Sequence, residues 1–193
     1  MSRWTPGARE RLVAAALDLF SEQGYDPTTV AQIAERAGVT KSTFFRHFAD
    51  KRELLVAGQD TLSRLLAEGI AAAPPGAGPL DAVRSGLVRA SDSMGTQNRQ
   101  LARKLDAAVA ASGELQARDA LKAVSFAAAM TQALVARGVP EATAAIAAEL
   151  GVLAFKRGFA AWSRLGDWDA PEGLAAYTVA ALEELRVAGA ALM

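Results

Sequence analysis

The residues with the clearest chemical potential lie in one short segment near the N-terminus. Residues 36–49 contain no acidic side chain, although they contain three cationic side chains and the one histidine of the chain, His47. The cations are Arg36, Lys41 and Arg46, and Lys51 and Arg52 follow directly. Clustered Lys and Arg side chains bind phosphate groups through their charge. Since the whole chain has 21 Lys+Arg and 21 Asp+Glu, this charge is a local feature, and a globally basic protein that coats nucleic acid is excluded.

Short hydroxyl side chains accompany the basic segment. Thr28 and Thr29 precede one predicted helix, and Thr40, Ser42 and Thr43 surround the start of the next. DNA phosphates are commonly bound by Lys and Arg, by small hydroxyl groups and by helix N-termini. Because the same hydroxyl groups also cap helices, the pattern fits capping as well as contact with a DNA backbone, and Thr29 and Thr40 can do both.

Several other kinds of site are excluded or poorly supported. The chain has no cysteine, which excludes disulfides, thiolate metal sites and thiol nucleophiles. Carboxylates with a single histidine are a poor ligand set for zinc, and no phosphate loop or nucleophile–base pair is visible in the sequence. We therefore predict no metal, no cofactor and no enzymatic activity, and a helical enzyme with a C-terminal cavity is kept only as an unfavoured alternative.

The composition indicates an all-α protein that is soluble and cytoplasmic. Alanine, which has the highest intrinsic helix propensity, accounts for 45 of the 193 residues. The longest uncharged run, residues 123–136, is 14 residues long and is too short to span a bilayer. Charged side chains within the first helical pattern argue against a signal peptide, and we expect no association with a membrane.

The basic segment belongs to a predicted arrangement of three helices. A first helix is predicted over 5–23, a second, short helix after Pro27, and a third over 41–47. Thr29 and Gln32 have the spacing of a capping box at the start of the second helix. A helix, a glycine-containing turn and a short helix form the arrangement of a helix-turn-helix, although the spacing alone fits an αα-hairpin equally well.

The same segment resembles the DNA-binding part of a known family. Residues 28–48, which read TTVAQIAERAGVTKSTFFRHF, are followed by Asp50 and Lys51 and closely resemble the TetR family of bacterial repressors. The specific resemblance covers roughly residues 9–56. It implies a homodimeric, all-α regulator whose N-terminal helix-turn-helix reads a palindromic operator on double-stranded DNA. We accordingly predict a DNA-binding domain at 1–52 and a helical domain for ligand binding and dimerisation at 53–193.

The resemblance also implies which residues contact DNA. Lys41, Ser42 and Thr43 would open the recognition helix and face the major groove, whereas His47 and Lys51 would contact the DNA backbone. The complete predicted DNA-binding set is Thr28, Thr29, Thr40, Lys41, Ser42, Thr43, Phe45, Arg46, His47 and Lys51.

Two positions depart from the commoner family pattern. Phe45 stands where the family usually has a tyrosine that touches a phosphate, so this position lacks the hydroxyl group for that hydrogen bond. Its ring could instead pack against a sugar or a thymine methyl group. Ser42 stands where glycine is frequent, and its hydroxyl group could add a contact. Phe44 and Phe48 are expected to be core residues that hold the recognition helix.

A break at residues 74–79, Pro-Pro-Gly-Ala-Gly-Pro, divides the chain. A long helix over about 53–73 is predicted before it. Five helices are predicted after it, near 80–93, 98–111, 114–136, 140–163 and 171–188.

The helix predicted over 140–163 carries a stripe of small residues at steps of three and four. The stripe consists of Ala144, Ala147, Gly151, Ala154, Gly158 and Ala161. Small side chains let another backbone approach closely. In the TetR family the last two helices form the dimer interface, so one alternative places the stripe at the dimer contact and the other places it against a helix of the same subunit. The predicted dimer residues are Ala147, Gly151, Ala154, Gly158, Tyr177, Ala181, Leu182 and Leu185.

A pocket for a small-molecule effector is implied by the resemblance and would be mainly apolar. The candidate ligand-binding residues are Met94, Leu105, Phe126, Met130, Phe155 and Phe159, although residues of these types at such positions are more often plain core. No residue pattern identifies the effector. The expected function is a repressor that leaves its operator when effector binding changes the spacing of the two recognition helices. A DNA-binding regulator without a small-molecule ligand is the alternative.

Overall fold

The structure, a computed structural model, describes residues 7–56, 59–94, 99–164 and 173–191. All regular structure in these ranges is α-helical, which confirms the predicted fold class. None of the helices in these ranges combines the length and the apolar character needed to cross a membrane. The helices are α1 Ala8–Gln23, α2 Val30–Arg36, α3 Lys41–His47, α4 Glu53–Val56, α5 Gln59–Ala71, α6 Pro79–Asp92, α7 Arg99–Ala111, α8 Gly113–Ala136, α9 Glu141–Arg164 and α10 Leu174–Ala190.

The helix boundaries agree with the predicted ones to within a few residues. α1 begins at Ala8 after Gly7, and the N-terminal end of the predicted helix 5–23 lies outside the described residues. The long helix predicted over 53–73 is described as α4 and α5, and residues 57–58 lie outside the described ranges.

Contacts between the helices divide the chain into two units. The first consists of Met1–Ala57 and Arg103–Asp119, and the second of Gly58–Ala102 and Ala120–Met193. Most of α7 and the start of α8 therefore pack with the N-terminal helices. The sequence had suggested no such contribution, because residues 103–119 carry no signal that distinguishes them from the rest of the alanine-rich part. The predicted domain boundary between residues 52 and 53 stays a prediction.

The first unit holds α3 through a core of apolar side chains from α1, α2 and α3. Leu12 and Ile33 are fully buried in it. Phe44 and Phe48 are also buried, with ring centroids 5.7 Å apart, which confirms their predicted role as core residues. Since these two side chains lie on the same side of α3, the opposite side of this short helix is directed outward.

Glycines and capping residues set the ends of the short helices. Gly24 and Gly38 have φ angles of 89° and 66°, which L side chains rarely adopt, so they allow the turns after α1 and α2. The predicted capping box at α2 is present: the Gln32 backbone N–H donates to Thr29 Oγ1, and the Thr29 backbone N–H donates to Gln32 Oε1. Thr40 caps α3 as predicted, because its Oγ1 accepts a hydrogen bond from the Thr43 N–H.

The second unit is built around α9, which packs against α6 and α10. Its central side chains include Trp162, Met130 and Leu87, all fully buried. Arg137, after α8, donates to the carbonyl oxygens of Ala71 and Ala73 at 3.1 and 3.0 Å. It thereby satisfies carbonyl groups at the C-terminal end of α5, where a helix leaves its last carbonyls without intrahelical partners.

The small-residue stripe of α9 is buried inside this unit from Ala144 to Gly158, whereas Ala161 at its end is exposed. A Cβ atom added to Gly151 would lie 2.7 Å from Val83 Cγ1, and one added to Gly158 would lie 2.6 Å from the backbone of Thr178. Ala147 and Ala154 are buried as well. These contacts support the second alternative, close packing within one subunit, and the predicted place of these four residues in a dimer interface stays a prediction.

The residues predicted on α10 for the dimer interface also pack inside the second unit. Ala181, Leu182 and Leu185 are buried in the core of the second unit, and Tyr177 packs against this core. The α10 backbone at Tyr177 and Thr178 is the surface that Gly158 approaches. α9 and α10 thus pack against each other along these side chains, and the predicted role of the side chains in a dimer interface stays a prediction.

Candidate nucleic-acid interface

The outward face of α3 carries the residues that could meet DNA. Lys41, Ser42, Phe45 and Arg46 are exposed, as is His47 in the last turn. The inward face is anchored by the buried phenylalanines described above. A seven-residue helix with one anchored side presents its remaining side chains in fixed directions, which is what reading a DNA groove requires.

Hydroxyl groups at the start of α3 form a local hydrogen-bond network. The Thr40 and Thr43 hydroxyl oxygens lie 3.0 Å apart, and Arg46 Nη2 donates to Thr43 Oγ1 at 3.0 Å. The network holds the Arg46 guanidinium group beside the N-terminal half of the helix. Its predicted contacts with DNA stay predictions, but the structure brings Thr40, Thr43 and Arg46 together as one cluster.

Lys51 makes contacts within the chain that the sequence did not predict. Its ammonium group donates to the carbonyl oxygens of Tyr25, Asp26 and Thr28 at 2.8, 3.0 and 3.1 Å, and it lies 4.2 Å from the centre of the Tyr25 ring. An ammonium group has three donors, and all three are used here. Lys51 therefore fixes the connection between α1 and α2, and its predicted phosphate contact stays a prediction.

Thr28 is also a structural residue in this geometry. Its side chain is 1% exposed, its hydroxyl group donates to the Gly24 carbonyl oxygen at 2.7 Å, and it accepts from Gln23 Nε2 at 3.1 Å. These two hydrogen bonds use the buried hydroxyl group within the chain, and the predicted DNA contact of Thr28 stays a prediction. Thr29, its exposed neighbour, forms the capping box and keeps its predicted DNA contact as a prediction.

The positive charge of the acid-free segment is partly neutralised in three dimensions. Arg36 forms two hydrogen bonds of 2.9 Å with the Glu22 carboxylate of α1. The hydrogen bond with Arg36 lowers the pKa of Glu22, and the same bond raises the pKa of Arg36. Because these residues are 14 positions apart, the sequence window 36–49 did not reveal the pairing. The exposed positive charge of α3 therefore comes from Lys41 and Arg46.

The N-terminal unit is completed by residues that the sequence had placed elsewhere. Lys104 on α7 forms an ion pair with Asp18 on α1. Leu115 of α8 is almost fully buried. No sequence signal pointed to this contact, since an Asp–Lys pair 86 positions apart follows no local pattern.

A model of a known protein family matches the segment that contains these helices. The sequence model described as Bacterial regulatory proteins, tetR family, matches residues 12–57, which include α2 and α3 completely. Residues 12–57 are therefore similar to the DNA-binding part of this family. The helix-turn-helix of this chain is accordingly α2, the turn containing Gly38, and α3.

TetR-family relatives are similar mainly over the N-terminal part. The chain is 43% identical over 82 residues to the HTH-type transcriptional regulator TcmR of Streptomyces glaucescens, a match that covers 42% of this chain and 36% of that protein. It is 32% identical over 96 residues to the HTH-type transcriptional regulator AcrR of Shigella flexneri, which covers 48% of this chain and 44% of that protein. The matches thus span less than half the length of these relatives.

Solved structures extend the likeness in fold to the C-terminal part. FadR of Thermus thermophilus, a TetR-family repressor solved in complex with lauroyl-CoA, has a TM-score of 0.52 at 22% identity and covers 92% of this chain and 93% of that chain. The TetR-family regulator PfmR, also of Thermus thermophilus, has a TM-score of 0.51 at 21% identity and covers 90% and 95%. The TetR-family architecture, an N-terminal helix-turn-helix followed by a helical C-terminal part, therefore describes this chain.

The described side chains among the predicted effector residues lie in or against the packed interior of the second unit. The Phe126 and Phe155 ring centroids are 5.7 Å apart, and those of Phe155 and Phe159 are 6.2 Å apart. Met130 is fully buried and Met94 packs against the same core. The side chain of Leu105 lies outside the described residues. The structure thus brings together most of this set, as members of one apolar cluster.

A groove of about 580 Å³ lies on the surface between α8 and α9. Among the predicted effector residues whose side chains the structure describes, none lines it. Its lining residues are Ala123, Ala145, Ile146, Glu149, Leu150, Val152, Leu153 and Lys156. Ile146 and Leu153 are 65% and 40% exposed, so this face of α9 is apolar and open to solvent.

Proposed function

We propose that this chain is a ligand-responsive transcriptional repressor that binds a palindromic DNA operator as a homodimer and is released by a small-molecule effector. The observation that carries the proposal is the outward face of α3, where Lys41, Ser42 and Arg46 are exposed at a helix whose other side is fixed in the core. The relatives matched in the N-terminal part are named as transcriptional regulators, and none of the names describes an enzyme. Since bacterial operators lie in the cytoplasm, that is the proposed place of action.

The DNA part of the proposal is tested by selecting binding sites from random double-stranded DNA with the full chain. We expect selected sites with two inverted half-sites whose centres are about 34–36 Å apart or a multiple of that distance. Binding to a selected site should weaken steeply as salt rises, because phosphate contacts release counterions. If no sequence is enriched over random DNA at low salt, the chain is not a DNA-binding regulator.

The dimer part of the proposal needs a surface, because the predicted one is buried. We place the contact on the solvent-facing side of α9, where Ile146 and Leu153 are exposed apolar side chains. Burying such side chains between two subunits is favourable in proportion to the apolar area removed from water. The double substitution Ile146→Glu and Leu153→Glu should convert a dimer into a monomer in sedimentation velocity. Val135→Glu, at an exposed apolar position of α8, is the matched control and should leave the dimer intact.

The effector part of the proposal has a competing candidate. A DNA-binding regulator without a small-molecule ligand is favoured by the dense packing of Phe126, Met130 and Phe155 in the core. A panel of apolar and amphipathic compounds separates the two in a thermal-shift assay followed by release of the labelled operator. A compound that raises the melting temperature and releases DNA supports the repressor. A panel without such a compound, together with unchanged operator binding in cell extract, supports the ligand-free regulator.

A further inference from the structure

Phe45 is a large apolar side chain on an otherwise polar surface. Its side chain is 57% exposed, although its sequence neighbour Phe44 is fully buried. The two rings meet edge to face, with centroids 5.4 Å apart and an angle of 79° between the planes. The Phe45 ring is therefore supported from the inner side by a fixed core ring, while its outer side is open to solvent.

The surroundings of the ring indicate what it would meet. Ser42, Phe45 and Arg46 have the spacing i, i+3 and i+4, so they share one face of α3, with Lys41 one turn before Phe45. Residues 36–49 contain no acidic side chain. The open ring is therefore flanked by cations. A partner surface that complements this face of α3 would carry negative charge around an apolar group.

The chemistry of the side chain narrows the choice further. A phenyl ring has no hydrogen-bond donor, so Phe45 cannot bind a phosphate oxygen as a tyrosine could. Burial of its exposed area is favourable only against another apolar group. Along the base edges of the DNA major groove, the C5-methyl group of thymine is the apolar group that side chains contact.

We propose that Phe45 reads a thymine in each operator half-site through van der Waals contact between its ring and the C5-methyl group. This inference rests on the proposed DNA-binding function and adds a base preference to it. In helix-turn-helix docking, the N-terminal residues of the recognition helix contact base edges. Phe45 is the fifth residue of α3, one turn beyond Lys41, and thus lies within the part of the helix that enters the groove.

The experiment replaces thymine by uracil, one position at a time, in an operator selected with the wild-type chain. Uracil keeps the hydrogen-bonding groups of thymine and lacks only the C5-methyl group. Affinity is measured by fluorescence anisotropy at one salt concentration. Wild-type protein should lose about fourfold in affinity at one position in each half-site, which corresponds to one buried methyl group.

The variant Phe45→Ala should bind the thymine and uracil operators equally at that position. Phe45→Leu, which keeps an apolar side chain, should retain part of the preference. Val187→Ala, an exposed apolar position on α10, is the control and should behave as wild type. Because Phe45 is exposed, Phe45→Ala should fold, and its melting temperature checks this.

The outcomes separate this inference from the proposed function. Operator binding that is weakened by Phe45→Ala but insensitive to uracil at every position overturns the thymine contact and favours packing against sugar. A selected half-site without any uracil-sensitive thymine also overturns it. In both cases the chain still binds DNA. Absence of any selected site removes the proposed function and this inference together.

Discussion

The recognition helix α3 and the small-residue stripe of α9 were the two strongest patterns in the sequence, and they lie in opposite environments. The outward face of α3 is exposed, with Lys41, Ser42 and Arg46 directed to solvent. The stripe of α9 is buried from Ala144 to Gly158, with Gly151 and Gly158 against other helices of the same chain. The sequence predicts a surface for a partner at α3, and at the stripe of α9 it leaves open a dimer contact or packing within the subunit.

The difference follows from the physical content of each pattern. Charged and hydroxyl side chains are costly to bury without partners, so a cluster of them at helix N-termini indicates a surface. Small side chains indicate only that another backbone comes close, and that backbone can belong to the same subunit or to another one. The charged and hydroxyl side chains therefore indicate a solvent-exposed helix face, whereas the small side chains indicate only that another backbone is close.

The largest effect is expected at Gly158. A methyl group there would meet the Thr178 backbone at 2.6 Å, and a helix backbone cannot move aside as a flexible side chain can. We expect Gly158→Ala to lower the free energy of unfolding by about 3 kcal/mol. Urea denaturation measures this. Gly189→Ala on α10 is the matched control, since an added Cβ meets no atom within 4 Å there.

A different result for Gly158→Ala would support a dimer contact at the stripe of α9. If Gly158→Ala kept full stability while sedimentation showed loss of a dimer, the α9 stripe would face a second subunit. The stripe of α9 and the outward face of α3 would then no longer differ in this respect, because both would be surfaces that bind a partner.

Most of the fold was predictable because its signals are local. The capping box of Thr29 and Gln32 and the cap of Thr40 involve residues three positions apart, and both are present. The candidate site was predictable only where its residues act locally on α3. The roles of Lys51 and Arg36 depend on partners 23 to 26 and 14 positions away, and no spacing rule reports such pairs.

The next largest effect on stability is expected at Lys51. It separates a basic residue that stabilises the fold from those predicted to contact DNA. Lys51→Met keeps the length of the side chain and removes three charge-assisted hydrogen bonds to carbonyl groups. We expect a loss of about 2 kcal/mol in the free energy of unfolding. The salt dependence of operator binding should keep the slope of the wild type. Arg52→Met, at the exposed neighbouring position, should change stability by less than about 0.5 kcal/mol.

A lower salt slope for Lys51→Met would contradict the assignment. It would mean that the ammonium group leaves the three carbonyl groups and contacts a phosphate in the complex with DNA. Lys51 would then belong with the exposed residues of α3, as the sequence had predicted.

Lys41 should show the converse behaviour. It is exposed at the first position of α3, and we expect Lys41→Met to leave the free energy of unfolding within about 0.5 kcal/mol of the wild type. The salt slope of operator binding should fall by about 0.9 for each lost phosphate contact, hence by about 1.8 for a dimer on two half-sites. Arg84→Met, an exposed cation of α6, serves as the control, and an equal fall in slope for that variant would show that the effect is not specific to α3.

The smallest effect is expected for the ion pair of Glu22 and Arg36. It tests whether Arg36 stabilises the packing of α2 against α1 or adds positive charge to the DNA-binding surface. The hydrogen bond from Arg36 lowers the pKa of Glu22 below its ordinary value of 4.5 in the folded protein. A lowered pKa in the folded state contributes stability that is present above pH 4.5 and is lost as the pH falls through the folded pKa. Because both side chains are exposed, the contribution is small.

Glu22→Gln should therefore lower the urea midpoint slightly at neutral pH, and this difference should shrink as the pH falls below 4.5 and through the lowered pKa of Glu22. Glu35→Gln, an exposed acid on α2, should change little over the same pH range. A difference between Glu22→Gln and wild type that stays equal over this range would indicate a packing effect instead of an ion pair. Arg36 would then retain an unneutralised charge next to α3, and its contribution to the salt slope should approach that of Lys41.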